Sequence, residues 1–139
     1  MPRSTLFALL LLAPLVASAC GSDAPTAPDD PSPPVEFVEP FSGTLTPNGA
    51  ITHPFGAQRG GQVSARITAL APDETVKIGL SIGTWNGATC QLLITNDSAT
   101  LNSAAVGTAQ QTGDFCARVY DAAGTLTAAI DYTIEVRHF

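Results

Sequence analysis

Three cysteines, two histidines and one tryptophan hold most of the chemistry open to this sequence. A charge-relay hydrolase needs a histidine that is oriented by a carboxylate and touches a hydroxyl nucleophile. His53 precedes Pro54 within an alternating run, and His138 continues the apolar face of the last such run. Both read as structural, and no G-x-S-x-G elbow accompanies them. Two histidines without H-E-x-x-H spacing make poor zinc ligands, and no C-x-x-C pair exists. Asp73 and Glu74 are neighbours at a turn; adjacent side chains of an extended chain point apart, which suits glycoside hydrolysis badly. Asp29-Asp30 lies in a proline-rich stretch and makes no calcium cage. The glycines sit at turns and form no phosphate loop or dinucleotide fingerprint. The expectation is a non-enzymatic chain with no catalytic residues, no metal and no cofactor.

Two sets of candidates remain. Trp85, in Gly83-Thr84-Trp85-Asn86-Gly87, falls between two alternating runs. At a loop tip it would stack on sugar or protein, offering large area at little entropic cost; the alternative is a ring folded back to plug one end of the domain. Arg59, in the glycine-rich turn Gln58-Arg59-Gly60-Gly61, is a candidate to flank such a ligand site. Cys90 and Cys116 form the second set. An oxidising compartment favours a bridge between them, stabilising the fold by roughly 3–4 kcal/mol through loop closure; the alternative is two buried free thiols.

These residues must be positioned by strands. Val63, Ala65, Ile67 and Ala69 alternate with Ser64, Arg66 and Thr68; Val76, Ile78, Leu80 and Ile82 keep the same period, as do Ile130, Tyr132, Ile134 and Val136. Period two with β-branched enrichment means half-buried antiparallel strands. Turn chemistry separates them at Pro47-Asn48-Gly49, 58–61, 72–74, Asn86-Gly87, Asn96-Asp97-Ser98, Gly113-Asp114 and 121–124. Strands are expected near 38–45, 51–56, 62–70, 75–83, 89–95, 114–120 and 128–138, with a weaker one near 104–108. Seven to eight short, evenly spaced strands make an all-β antiparallel sandwich of jelly-roll type. If Phe115, Ala117 and Val119 face the core, Cys116 faces outward, and a bridge to Cys90 then requires a bulge or a strand end.

The N-terminus reads as an address. Arg3 precedes the apolar run Leu6–Val16 and the small triplet Ala17-Ser18-Ala19. The segment Val16-Ala17-Ser18-Ala19-Cys20 resembles a bacterial lipobox, with Ala17 where that family favours leucine. The resemblance implies a signal peptide over 1–19 and a thiol at Cys20 bearing a diacylglyceryl group, with acyl chains such as palmitate. The same triplet suits an ordinary signal peptidase, which would release a secreted chain, and an uncleaved anchor is the third possibility. Lipidation also accounts for the odd cysteine. Gly21, where an Asp resembles an inner-membrane retention signal, points to the outer membrane or cell surface. Residues 20–34 carry prolines and aspartates but no large apolar side chain, the composition of an extended spacer, and 35–139 is the folded domain. The net charge of −6 repels phosphate backbones and excludes nucleic acid as a partner.

Within the domain, Phe41-Ser42-Gly43-Thr44-Leu45, His53-Pro54-Phe55, the run Gly61–Leu70, Gly113-Asp114-Phe115-Cys116-Ala117-Arg118-Val119 and Tyr132-Thr133-Ile134-Glu135-Val136 follow in an order that resembles pre-peptidase C-terminal domains. These are jelly rolls appended to secreted proteases and surface proteins. The resemblance implies a binding role, toward collagen or polysaccharide and in some members with stabilising calcium. The departures are a missing peptidase, a cysteine pair that is not general in that family, and no recognisable acidic calcium cluster. The expected partners are a membrane, through the anchor, and a protein or glycan ligand.

Overall fold

Alternation places Val63, Ala65 and Ile67, then Ile78, Leu80 and Ile82, on single faces of their strands, and all six are buried in the computed structural model, which describes residues 32–139. The expectations for the signal peptide, Cys20 and most of the spacer fall on residues 1–31 and lie outside the described residues. Among the described residues there are eight strands: β1 Phe37–Leu45, β2 Ala50–Ala57, β3 Gly61–Ala71, β4 Ile78–Trp85, β5 Cys90–Ala99, β6 Ala104–Ala109, β7 Gly113–Tyr120 and β8 Ile130–His138. They form two four-stranded antiparallel sheets, ordered β1-β8-β3-β6 and β2-β7-β4-β5. Successive strands mostly cross from one sheet to the other, the wrapping of a jelly roll. The inner faces meet in one core built from Leu45, Ile67, Leu70, Leu80, Val119, Ile134, Val136 and their neighbours. No helix among the described residues is long and apolar enough to cross a membrane.

Three features differ from the sequence reading, and two of them are bulges. In β3, Ile67 pairs with Ile134 and Ala69 with Thr133, so Thr68 is an extra residue. Beyond it the faces exchange: Leu70 is buried and Ala69 exposed, contrary to strict alternation. In β5, Asn96 pairs with Leu80 but Ala99 with Ile78. Asn96-Asp97-Ser98, expected as a turn, is therefore a bulge inside a strand, where Asn96 Oδ1 accepts the Ser98 N–H at 3.2 Å. Turn-type chemistry is real there, but the ladder continues through it. The third difference is Val76, which precedes β4 and packs on the core without belonging to a strand.

A further bulge in β5 resolves the orientation of the cysteines. Ile94 pairs with Ile82 and Leu92 with Gly83, leaving Leu93 extra and 63% exposed. Cys116 lies on the outer face of β7 opposite Gly83, while Cys90 starts β5 opposite Trp85. Strand β4 separates the two, and next-but-one strands ordinarily stand ~9.5 Å apart. Here the bonded cysteines have Cα atoms 5.8 Å apart, because the bulged start of β5 curls over β4 toward β7. The bridge passes over the Thr84 carbonyl, with Cys116 Sγ 3.3 Å from its oxygen.

Gly83 sits at the point of closest approach. A Cβ there would collide with the backbone carbonyl of Gln91, so neither strand could keep its path. Gly83→Ala is therefore expected to cost about 1–3 kcal/mol, the usual range for overpacking against backbone. Urea unfolding monitored by circular dichroism measures it, and a wild-type midpoint would show that the hairpin does not press on β4 as described.

Candidate functional site

The outer faces of the two sheets are furnished differently. On the second sheet, Tyr120 lies across Gly79, whose missing Cβ leaves room for the ring. The phenol donates to Asp97, and the Arg118 guanidinium stands 5.8 Å over the ring. Desolvation and the Asp97 carboxylate push the Tyr120 phenol up to about 12, so it remains a donor. That face is covered by its own side chains.

The first sheet leaves its outer face open. A shallow depression of about 490 Å³ is lined by Ser42, Thr44, Ala69, Ala71, Asp131 and Thr133, together with Gly43 and the buried Tyr132. Apart from Tyr132, every side chain in it is small. Ser42 and Thr133 share a hydrogen bond of 2.9 Å across the β1–β8 pair, and Thr44 donates to Asp131 at 2.6 Å. The β3 bulge contributes by turning Ala69 outward, and it also brings the Thr68 hydroxyl to the Thr133 carbonyl at 3.3 Å. The result is a concave floor of methyl groups edged by hydroxyls and one carboxylate. It can accept and donate hydrogen bonds to an extended polar ligand, but it contains no histidine or cysteine.

Both histidines are held elsewhere. His53 faces inward from β2, stacks on Phe41 at 5.0 Å and shares a 2.8 Å hydrogen bond with the Tyr132 hydroxyl. Burial lowers its pKa below the ordinary 6.5 and pushes the Tyr132 phenol up to about 12. His138 is 2% exposed, lies between Phe37 and Phe55, and meets Glu39 Oε1 through Nε2 at 2.7 Å. These pairs lock the open edge of the sandwich between β1 and β2. Because folding favours neutral His53, the folded chain binds fewer protons than the unfolded one just below pH 6.5. Stability is then expected to be complete above pH 6.5 and to fall as pH drops toward the lowered value. Thermal melts of wild type and His53→Gln across pH 4–7 test this: the variant should lose part of the slope below 6.5, and parallel profiles would contradict the assignment.

The sequence candidates occupy the opposite end from the depression. Trp85 is the last residue of β4, paired with Cys90, and half-buried; it is not a loop-tip residue. Nor is it a plug, since it stands outside the core cluster. Arg59 is exposed in the β2–β3 turn, where it lines a groove of about 340 Å³ with Val35, Phe37, Gln58 and Phe139. The two residues share an end of the sandwich but not a groove: β2 and β4 are separated by β7, and Trp85 does not line the groove holding Arg59. The sequence reading passed over Ser42, Thr44, Asp131 and Thr133. The available signal is the pairing of Ser42 and Thr44 with Thr133 and Asp131, small polar residues at outward positions of two facing strands. Among the described residues no group of three or more His, Cys, Asp or Glu side chains is placed to hold a metal ion.

No family model matches this chain, and no curated protein matches it in sequence. A solved structure does: a mitogen derived from Yersinia pseudotuberculosis superposes with a TM-score of 0.58 at 13% identity, covering 76% of this chain and 88% of the other. At that identity the likeness establishes a shared β-sandwich fold and nothing about a ligand.

Proposed function

We propose that this chain is an exported lipoprotein of the bacterial cell envelope, held to a membrane through acylated Cys20, whose sandwich acts by binding and not by turnover. The observation that carries the binding half is the depression on the first sheet. It is concave and open, edged by the hydroxyls of Ser42, Thr44 and Thr133 and the Asp131 carboxylate, while each histidine is engaged elsewhere. A nucleophile needs an adjacent base, and a general acid needs reach to a leaving group; these hydroxyls bond to one another and to Asp131. The anchoring half rests on the sequence Ala17-Ser18-Ala19-Cys20 behind an apolar run, and on the remaining cysteines being bonded to each other, which leaves Cys20 for another use.

The resemblance to pre-peptidase C-terminal domains supports the same class of role. A glycan or collagen-like chain is the alternative ligand to an envelope protein, since hydroxyl rows suit either. The earlier candidate for stacking, Trp85, lies at the far end and plays no part in this face.

A photo-crosslinking residue at Thr44 in cells tests the proposal, with one at Thr95, on exposed β5, as control. A discrete adduct is expected from position 44 and not from 95, and it should vanish with Asp131→Lys. Equal labelling from both positions, or labelling indifferent to Asp131, would remove this face as the binding surface.

A further inference from the structure

Five large apolar side chains are exposed among the described residues, and two of them, Val35 (69%) and Phe37 (39%), line one groove where the chain enters the sandwich, while Val38 (45%) lies on the opposite face of β1 from Phe37. Clustered apolar surface on a folded domain marks contact with a partner or a membrane. The register defines what else shares this end. Phe37 pairs with His138, Ala57 with Gly113, Thr84 with Phe115 and Trp85 with Cys90. The start of β1, the end of β8, the β2–β3 turn and the end of β4 are thus gathered together. The N–H groups of Gln58 and Arg59 donate to the Phe139 carbonyl at 2.8 and 3.2 Å, which fixes the turn against the last residue. Val35, Phe37, Arg59 and Phe139 then wall the groove of about 340 Å³.

Three carboxylates at this end are held by two partners. Glu36 meets Arg137 at 3.2 Å, Glu135 meets the same guanidinium at 2.8 Å, and Glu39 meets His138 at 2.7 Å. Asp114, at the start of β7, is a further exposed carboxylate, beside the exposed Glu36. The groove itself is apolar and aromatic with one cation, Arg59, at its rim and the carboxylates outside its lining, a pairing of apolar side chains with a cation that suits a membrane–water interface.

We propose that this end of the sandwich is a lipid-contacting face, on which Val35, Phe37 and Phe139 enter the headgroup region and Arg59 meets lipid phosphate. The inference rests on the lipoprotein reading above and specifies how the domain sits. Its occupant follows from where the remaining chain goes. The polypeptide between Cys20 and Val35 reaches at most ~50 Å at ~3.5 Å per residue, and it joins the sandwich at this end. Anchoring therefore presents this end to the bilayer at high effective concentration, so a contact too weak to hold a free protein is populated. The net charge of −6 favours a zwitterionic surface over an anionic one. A consequence links the two proposals. Ser42 and Thr44 lie roughly 15–25 Å along β1 from Phe37 at ~3.3 Å per residue, so docking by this end carries the hydroxyl-edged depression away from the membrane.

Trp85 is the single tryptophan, so intrinsic fluorescence reports this end alone. The protein purified from membranes is reconstituted into phosphatidylcholine vesicles with or without lipids brominated high on the acyl chain, and the mass at Cys20 is measured on the same sample. Brominated vesicles are expected to quench Trp85. A Val35→Asp/Arg59→Glu variant, acylated and with an unchanged melting curve, should lose the quenching. Unquenched Trp85 in acylated wild type would overturn the contact while leaving the anchor standing. Quenching that survives the double substitution would overturn it as well. An unmodified Cys20 would overturn the anchor and this inference together.

Discussion

Replacing both Cys90 and Cys116 with alanine lowers the stability of the sandwich by about 3–4 kcal/mol, measured as the difference in denaturant unfolding between the variant and the oxidised wild type. The bridge closes a loop of sequence separation 26, and loop closure of that length removes about this much unfolded-state freedom in the chain-entropy account. For a domain of this size the loss is a large part of the usual 5–15 kcal/mol and lowers the melting temperature by roughly 15–25 °C. The location of the bridge adds to the effect. Cys116 is fully buried on the outer face of β7, and the bond pins the curled start of β5 across β4. Without it, the β4–β5 hairpin is free to flatten and expose the outer face at Gly83. Amide exchange at Gln91 and Leu92 should therefore rise more than exchange at Ile134, on the other sheet. A variant as stable as wild type would mean that the hairpin keeps its curl through packing alone.

Phe55→Ala is expected to cost about 3–5 kcal/mol, the range for deleting a buried aromatic side chain. Phe55 is 6% exposed and belongs to the core, yet its neighbours reach beyond it. It stacks on Phe115 of β7 at 6.0 Å and leans on the His138 ring at 5.3 Å, so it ties the second sheet to the last strand of the first. Its loss should cripple the end of the sandwich that holds Phe37, Arg59 and Phe139. Equilibrium unfolding gives the total cost, and the His138 imidazole resonance reports the local part. A loss below about 1 kcal/mol would show that the end collapses around the gap more freely than a close-packed interior does. Phe55→Leu, which keeps most of the volume, should recover a large share of the stability.

How far the molecule was legible in its sequence follows from the range of the interactions involved. Alternation is local, so the strands around Val63, Ile78, Ile94, Val119 and Ile134 are legible, though their ends shift by a few residues, as are the turns at Asn48 and Asn86. The odd cysteine left Cys90 and Cys116 as a pair. What local patterns do not carry is the extra residue in a ladder. Thr68, Leu93 and the Asn96–Ala99 stretch look like ordinary strand or turn residues, and only the partner strand shows them to be bulges. The bulge at Thr68 puts Ala69 on the floor of the depression, so the site itself was out of reach of a period-two reading. The histidine partners were equally hidden: His53 and Tyr132 are 79 positions apart, and Glu39 and His138 are 99 apart. Trp85 drew attention as a large ring beside a turn, whereas strand pairing with Cys90 extends β4 to include it. Arg59 lies in the glycine-rich turn between β2 and β3, but its companions are Val35, Phe37 and Phe139, from both extremities of the folded unit.

The two halves of the account meet at one residue. Acyl chains on a cysteine contribute about 0.8 kcal/mol for each buried methylene, and a second chain turns reversible adsorption into stable attachment. If Cys20 is so modified, the sandwich works within the spacer's reach of a bilayer, and its two ends acquire different environments. Mass spectrometry of the N-terminal peptide, taken from protein extracted from native membranes, tests this directly. The account predicts a peptide beginning at Cys20 and carrying the mass of a diacylglyceryl group; an unmodified thiol at that position, in a protein recovered free in solution, would contradict it.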